Sequence, residues 1–111
     1  MNKSELSKFI ELYNLNGTIE SVKIVSDGDG VKTNFVSEDR TLAGIVSFSA
    51  IKIDKGEYGI YDTAQLKKMI GVLEDTVNVA VNKIDDRPIS WSVSDGSTDS
   101  TVLLADLSII P

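Results

Sequence analysis

Apolar residues follow helical spacing in two stretches of the chain. Within residues 62–73 they occupy positions i, i+3, i+4 and i+7, at Leu66, Met69, Ile70 and Leu73. The same spacing appears 60 residues earlier, at Leu6, Phe9, Ile10 and Tyr13. Such a stripe is typical of a helix that buries one face. The sequence therefore predicts two amphipathic helices and the burial of Leu6, Phe9, Ile10, Leu66, Met69, Ile70 and Leu73.

Polar residues mark the ends of both predicted helices. Asp62 is the predicted N-cap of the second helix, because its carboxylate can accept from first-turn amides while Gln65 returns a hydrogen bond. Ser4 is the predicted cap of the first helix. Gly17 is predicted to close that helix in a left-handed conformation.

Extended segments follow each helix. After the first helix, β-rich or apolar stretches cover residues 18–25, 31–37, 42–48, 50–54 and 58–61. After the second helix come 77–82, 89–94 and 101–110. In 89–94, Ile89, Trp91 and Val93 alternate with serines, which is the period of a half-buried strand. The stretch 101–110 is too continuously apolar for a solvated tail, so we expect it to have a partner within this chain or outside it.

This order of elements predicts the fold class. A helix followed by strands occurs twice, which predicts an α+β domain with two helices packed on one face of a mainly antiparallel sheet. We interpret residues 1–111 as a single domain of two pseudo-repeats, about 1–54 and 55–111. The alternative is coincidence, because any two amphipathic helices can be aligned in phase.

Composition narrows the function classes. The 111 residues are 41% hydrophobic, which fits one globular domain, and their formal net charge is −6. The chain has no cysteine and no histidine. Zinc sites of the usual kind, cysteine nucleophiles and histidine bases are therefore excluded. No glycine-rich phosphate loop, membrane span or signal-like start is present, so we expect an intracellular, cytoplasmic, non-catalytic protein without a cofactor.

Two acidic turns allow a calcium hypothesis. Asp27, Asp29 and Glu38 have the spacing of positions 1, 3 and 12 of an EF-hand loop, and a second set of alternating oxygens is Asp95, Ser97, Asp99 and Thr101. Neither loop has the required glycine, and the elements around both turns read as strands. The alternative is that Asp and Gly form hairpin turns for backbone reasons, and we predict hairpins without a metal.

The order of elements also resembles a known family. The residues that carry the resemblance are Gly59-Ile60-Tyr61-Asp62 leading into the helix at 66–73, the strand at 77–81, and the Trp91 strand that leads to Ile109-Ile110-Pro111. Together they resemble the N-terminal domain of DNA polymerase sliding clamps. The likeness covers nearly the whole chain and is greatest to clamps of T-even-type bacteriophages.

The resemblance implies a ring that encircles duplex DNA, with helices lining the hole and sheets forming the rim. It implies DNA polymerase and a clamp loader as partners, and the bacterial host cytoplasm as location if the chain is phage-encoded. In such clamps helix lysines face phosphates, so the implied DNA-binding residues are Lys8, Lys67 and Lys68. The alternative is that these lysines only occupy solvent-exposed helix faces. On the same helices Glu5, Glu11 and Glu74 reduce the basic character.

The chain departs from the family in length. Phage clamp subunits contain two such domains, so we expect either a fragment or single domains that assemble through edge strands. For the chain alone we expect a monomer or weak self-association. A different function class is an α+β protein-interaction or structural module, with a phage as one candidate source, that joins a partner through its sheet edge or through residues 101–110.

Overall fold

Two helices and seven strands make up the part of the chain that the structure, a computed structural model, describes: residues 1–37 and 39–110. In chain order they are α1 (Lys3–Asn14), β1 (Val22–Ser26), β2 (Val31–Val36), β3 (Ala43–Phe48), β4 (Gly56–Ile60), α2 (Thr63–Gly71), β5 (Asn78–Ile84), β6 (Arg87–Ser94) and β7 (Asp99–Leu103), followed by a 3-10 turn (Leu107–Ile109). Glu38, in the predicted turn and calcium loop, and Pro111, at the end of the predicted apolar stretch, lie outside the described residues. Neither described helix is long and apolar enough to cross a membrane.

The strands form two antiparallel sheets. One has the order β3-β2-β1-β4 and the other the order β5-β6-β7. The α+β class with antiparallel strands is confirmed, and the strands divide between two sheets instead of forming one. The sheets meet where the Ala105 amide donates to the Gly59 carbonyl at 2.9 Å. A Cβ on Gly59 would lie 2.7 Å from the Ala105 oxygen, so this close approach requires glycine.

The helices lie side by side and antiparallel. At one end of the pair the Lys3 Nζ donates to the Leu73 carbonyl at 2.6 Å. At the other end the hydroxyls of Tyr13 and Thr63 hydrogen-bond at 3.0 Å. Because the start of α1 meets the end of α2, and the end of α1 meets the start of α2, the two helices run in opposite directions.

The core lies between the helices and the sheets. Of the side chains predicted to be buried, all but one are, and Met69 is half-buried on a flank of α2. Aromatic rings connect the layers: Phe9 of α1 packs edge-on against Phe48 of β3, and Tyr58 of β4 packs edge-on against Trp91 of β6. Within the described residues the buried Trp91 Nε1 has no hydrogen-bond partner.

The ends of α1 differ from the prediction. Its N-cap is Asn2, whose Oδ1 accepts from the Ser4 amide at 2.9 Å and from the Ser4 hydroxyl at 2.8 Å. Ser4 is therefore the residue that is capped, because the helix begins two residues earlier than its hydroxyl suggested. At the other end Leu15 adopts the left-handed conformation, with φ 50°, ahead of Gly17. For α2, Asp62 is the N-cap as predicted.

Two predicted extended segments differ from the prediction, one wholly and one in part. Residues 50–54 are irregular, yet Ile51 and Ile53 are buried, and the Ser26 hydroxyl donates to the Ile53 carbonyl at 2.6 Å. The apolar pattern there reflects the burial of these two side chains, and the backbone pairs with no strand. Residues 101–110 contribute the end of β7 and then turn away after the bridge at Ala105.

The segment before each helix pairs with the strand region after the other helix. β4 precedes α2 and pairs with β1, in a register that places Tyr58 opposite Ile24. Residues 1–2 precede α1, and there the Val77 amide donates to the Met1 carbonyl at 2.9 Å beside a bridge between Asn2 and Thr76. The two halves of the chain therefore exchange their first extended segments.

Candidate nucleic-acid interface

The three predicted DNA-binding lysines lie on the helix layer. Lys8 is exposed on α1, and Lys67 and Lys68 are exposed on α2. The contacts at both ends of the antiparallel pair, between Lys3 and Leu73 and between Tyr13 and Thr63, place residue 8 level with residues 67–68. The fold thus brings the three lysines to the same height of one layer, although 59 residues separate Lys8 from Lys67.

Helical phase gives each lysine a direction. On α2 the buried residues Leu66 and Ile70 define the inner face, so Lys68 shares the outward face with Ala64. Lys67 lies one turn after Thr63, which contacts α1, and therefore projects over the flank nearer α1. The two α2 lysines diverge, one pointing outward and one toward the groove between the helices.

Charge is unevenly distributed over the helix layer. Residues 63–71 of α2 contain Lys67 and Lys68 and no acidic residue. On α1, Lys8 shares the surface with Glu5 and Glu11, which partly cancel it. In a chain of net charge −6 this surface is less acidic than the turns, but its positive balance is small. Weak attraction to phosphates is the most such a surface provides.

The N-terminus of α2 is already occupied by oxygen acceptors. The Thr63 amide donates to the Glu20 carbonyl at 3.1 Å, and the Ala64 amide donates to Glu20 Oε2 at 3.1 Å. The Gln65 amide donates to Asp62 Oδ1 at 3.1 Å. First-turn amides often bind phosphate in other proteins, but here carboxylates fill that place. Phosphate contact on this layer therefore depends on the lysines.

The other end of α2 is held by residues from distant elements. The Lys3 ammonium donates to the carbonyls of Gly71, at 3.2 Å, and Leu73, at 2.6 Å. The Glu74 amide donates to Asp95 Oδ2 at 2.8 Å. A cation at a helix C-terminus also interacts favourably with the helix dipole. Lys3 is thus committed to helix packing and not to solvent.

A buried polar network joins the helices to the loop before β1. The Tyr13 hydroxyl bonds to Thr63 Oγ1, which itself donates to the Glu20 carbonyl at 2.8 Å. Burial raises the pKa of Tyr13 far above its usual value, the Thr63 hydrogen bond opposes this, and the charge of Glu20 adds to it. The phenol stays neutral, so the network holds the helices in register without a buried charge.

The acidic turns use their carboxylates to hold the backbone. Asp27 Oδ1 accepts from the amides of Asp29, at 2.8 Å, and Gly30, at 3.0 Å. The amide of Asp29, more than that of Gly30, lowers the pKa of Asp27, and hydrogen bonds from Glu74, then Ser97 and Thr98, lower that of Asp95. Both turns match the hairpin interpretation. Among residues 1–37 and 39–110 no group of three or more acidic, His or Cys side chains is placed to hold a metal ion.

Sequence reasoning missed the residues that orient α2. Lys3, Glu20 and Asp95 bond to α2 or to the residues that directly follow it, from positions 21 to 70 residues away along the chain. Neither helical periodicity nor capping patterns report contacts at such separation. The sequence gives one indication of the contact between Lys3 and the end of α2, which is that a positive side chain is attracted to the negative end of a helix dipole. Many other lysines of the chain give the same indication.

Two solved bacterial structures share this architecture. The DNA polymerase sliding clamp from Pseudomonas aeruginosa matches with a TM-score of 0.66 and 15% sequence identity, over 100% of this chain and 31% of the clamp chain. The DNA polymerase III subunit beta from Pseudomonas aeruginosa matches with a TM-score of 0.56 and 13% identity, again over 100% of this chain and 31% of the other. No protein-family model and no curated protein sequence matches this chain.

The likeness is one of fold. The chain spans about a third of the length of both structures that it matches. At 15% and 13% identity, shared architecture does not carry over the functional residues. The special likeness to bacteriophage clamps stays a prediction. What the comparisons establish is that the described chain has the architecture of a sliding-clamp domain.

Proposed function

We propose that this chain is a DNA polymerase processivity factor, or a fragment of one, that acts as part of a ring around duplex DNA. One observation carries the proposal: in a fold shared with sliding clamps, Lys8, Lys67 and Lys68 lie level with one another on the exposed side of the helix layer. Its role is then non-catalytic, and DNA polymerase and a clamp loader are its partners. Its place is the cytoplasm, that of the bacterial host if the chain is phage-encoded.

We further propose that residues 1–111 form a single clamp-like domain of two pseudo-repeats, about 1–54 and 55–111. The exchange of first segments supports this, because β4 pairs with β1 just as residues 1–2 pair with the region after α2. Each unit then contains one extended segment, one helix and three strands. Two units related in this way place both helices on one side of the domain.

Ring formation requires free sheet edges at both ends of the domain. β3 and β7 each pair with only one neighbour among the described strands. If six such domains close a ring, each turns the path by about 60°, and an edge of one domain meets a different edge of the next. A second domain on a longer chain, or further copies of this one, supplies the partner edges.

Weak contact with DNA suits this role. A protein that slides must touch phosphates without reading bases, because tight or base-specific contacts would stop its movement. A small number of lysines on an otherwise acidic protein provides contact of this weak kind. In a closed ring the topology holds the protein on DNA, so the single domain needs little affinity.

The test is a titration of the chain at low salt with two duplexes of unrelated sequence. We expect equal, weak binding to both, at or beyond the weak end of the ~10⁻⁴–10⁻⁶ M range of nonspecific complexes, and its loss as salt rises. Changing Lys8, Lys67 and Lys68 together to Ala is expected to abolish it. NMR chemical shifts of the backbone amides report which surface responds.

A matched variant separates position from net charge. Lys23 and Lys32 lie on the face of the first sheet that is turned away from the core, and Lys55 lies in the turn before β4. Changing these three to Ala removes the same charge but leaves the helix layer intact, so binding is expected to persist. Equal loss in both triple variants, sequence-selective binding, or shifts confined to the Asp27 and Asp95 turns would contradict the proposal.

A second candidate function is a protein-interaction module. The free edges of β3 and β7, together with the exposed side chains of Leu103 and Ile109, favour it. The discriminating observation is DNA binding itself. A module of this kind would not bind duplexes through the helix layer, and the triple helix variant would behave like the parent chain.

A further inference from the structure

The connection between α1 and β1 contains the one Asn-Gly step of the chain. Asn16 is exposed and is followed by Gly17. The other asparagines all precede residues with side chains: Asn2, Asn14, Asn34, Asn78 and Asn82. Asparagine is among the thermolabile residues. It loses its side-chain nitrogen as ammonia when the backbone nitrogen of the next residue attacks its Cγ, and a following glycine has no side chain to hinder that attack.

The backbone at this step is left-handed and open to solvent. Leu15, Asn16 and Gly17 have φ values of 50°, 58° and 96°, so the helix has already ended there. A Cβ placed on Gly17 would meet no atom within 4 Å. The Gly17 nitrogen and the Asn16 side chain are therefore free of steric protection by other parts of the domain.

One hydrogen bond restrains the attacking nitrogen. The Gly17 amide donates to Asn14 Oδ1 at 3.0 Å. Asn14 is buried, and its Nδ2 donates to the Ile19 carbonyl, which fixes the orientation of the side-chain amide. The Gly17 nitrogen attacks only after it has lost its proton, and a hydrogen-bonded amide must open before it loses that proton. Asn14 thus slows the reaction of its neighbour.

We propose that Asn16 is a deamidation site of the folded chain and that Asn14 sets its rate. Hydroxide removes the Gly17 amide proton, and the nitrogen forms a bond to Asn16 Cγ. The bond from Cγ to Nδ2 then breaks, and ammonia leaves with a proton taken from water, which regenerates hydroxide. Water opens the resulting cyclic imide at either carbonyl carbon and leaves aspartate or isoaspartate. No electrons are transferred, and water is the only reagent consumed.

Aspartate–glycine steps in the hairpin turns are less reactive near neutral pH. Asp27 and Asp95 both precede glycine, but a carboxylate ion resists attack, so their reaction requires the protonated carboxyl. The Asp29 amide is the main cause that lowers the pKa of Asp27, and the Glu74 amide is the main cause for Asp95. Both carboxyls are therefore ionised at neutral pH, whereas the amide of Asn16 is neutral throughout.

Either product changes the helix layer. Aspartate at position 16 adds a negative charge just beyond the C-terminus of α1, where the helix dipole disfavours it. Isoaspartate adds one carbon to the main chain four residues before Glu20, whose carbonyl and carboxylate accept from the Thr63 and Ala64 amides. We expect the longer main chain to displace Glu20 and weaken its hold on α2. This consequence follows from the fold and does not depend on the proposed function.

Incubation of the folded chain at mildly alkaline pH, followed by peptide mass spectrometry, tests the site. We expect the peptide with Asn16 to exchange NH₂ for OH about tenfold faster than peptides with Asn34 or Asn78, which are exposed but held in strands. Asn16→Gln is expected to remove the change from that peptide and to leave the fold intact. In the deamidated chain the NMR signals of the Thr63 and Ala64 amides are expected to shift.

Asn14→Ala tests the control of the rate. We expect deamidation at Asn16 to accelerate about fivefold, the factor that one hydrogen bond of ordinary strength contributes. Far-UV circular dichroism checks that the variant is folded. Amide hydrogen exchange of the parent chain answers the same question without a substitution. The Gly17 amide is expected to exchange more slowly than that of Gly96, a turn glycine whose amide makes no hydrogen bond within the described part of the chain.

Three outcomes would overturn the proposal. Asn16 that reacts no faster than Asn34 and Asn78 would exclude it as the site. A folded Asn14→Ala variant with the parent's rate would exclude control by Asn14. Equal hydrogen exchange at Gly17 and Gly96 would do the same for a variant that does not fold.

Discussion

The two helices have the same apolar spacing but are held in different ways. α1 is capped by Asn2 at its start and by Leu15 at its end, and its one distant end contact is the Lys3 amide, which donates to the Asp75 carbonyl at 2.8 Å. α2 also has local caps, Asp62 at its start and Val72 at its end. Its remaining end contacts come from Glu20 and Lys3 in the first half of the chain and from Asp95 beyond β6.

This difference shows that α2 is positioned by the rest of the domain. A nine-residue helix is marginal alone, because nucleation consumes much of the stability that so few hydrogen bonds provide. The direction of Lys67 and Lys68 therefore depends on contacts made by the first half. If the helix layer faces DNA, the first half determines how the second half presents its charge.

The largest expected effect comes from the buried isoleucines at equivalent positions. Ile70→Ala and Ile10→Ala each remove a fully buried side chain, and we expect each to lower the free energy of unfolding by ~2–5 kcal/mol. If α2 depends on the first half, denaturant curves followed by circular dichroism and by Trp91 fluorescence will coincide in both variants. Separate transitions would show that the halves unfold independently, which would contradict the dependence of α2 on the first half.

A smaller effect is expected at the C-terminal end of α2, where Lys3 binds the last carbonyls from a distant position in the chain. Lys3→Met keeps much of the aliphatic side chain but removes the donor to the Gly71 and Leu73 carbonyls, so we expect a loss of about 1 kcal/mol. Lys8→Met is the matched control, because Lys8 is exposed and not part of this cap, and it is expected to stay within about 0.5 kcal/mol. If thermal or denaturant unfolding shows the same loss of unfolding free energy in both variants, Lys3 has no special role in holding α2.

The smallest expected effect concerns the hairpin turns of the two halves. The first turn has Gly28 at φ 92°, whereas the turn between β5 and β6 holds Asp85 and Asp86 at φ 53° and 63° without a glycine. Asp86→Gly relieves this strain, since two-residue hairpin turns of this kind favour glycine. We expect a gain of ~0.5 kcal/mol in unfolding free energy, reduced by the entropy of glycine in the unfolded chain. Gly28→Asp is the reciprocal change and is expected to destabilise.

Local patterns in the sequence were sufficient for most of the fold. The apolar spacing located both helices, alternation located the Trp91 strand, and Asp62 marked the start of α2. Errors arose where several signals overlapped. Ser4 can cap a helix, but Asn2 precedes it and is the N-cap of α1. Ile51 and Ile53 have the spacing of a strand, yet they are buried in a segment that pairs with no strand.

The candidate site was less predictable than the fold. Exposure of Lys8, Lys67 and Lys68 follows from helical phase, and the structure places them accordingly. Their common height follows from the antiparallel packing, which depends on contacts that single-helix patterns do not report. The division of strands between two sheets was also missed, because it depends on pairings between segments distant in the chain, such as β1 with β4, and not on any strand's own pattern.

The exchange of first segments between the halves has a kinetic consequence. Tyr58 must find Ile24, and Thr76 must find Asn2, before either helix has a complete sheet to pack on. Loops of such length are closed at an entropic cost before native contacts compensate for it, so folding is slower than in proteins with mainly local contacts. While the chain searches for these pairings the β3 strand is exposed, which makes the folding chain more prone to aggregate than the finished domain.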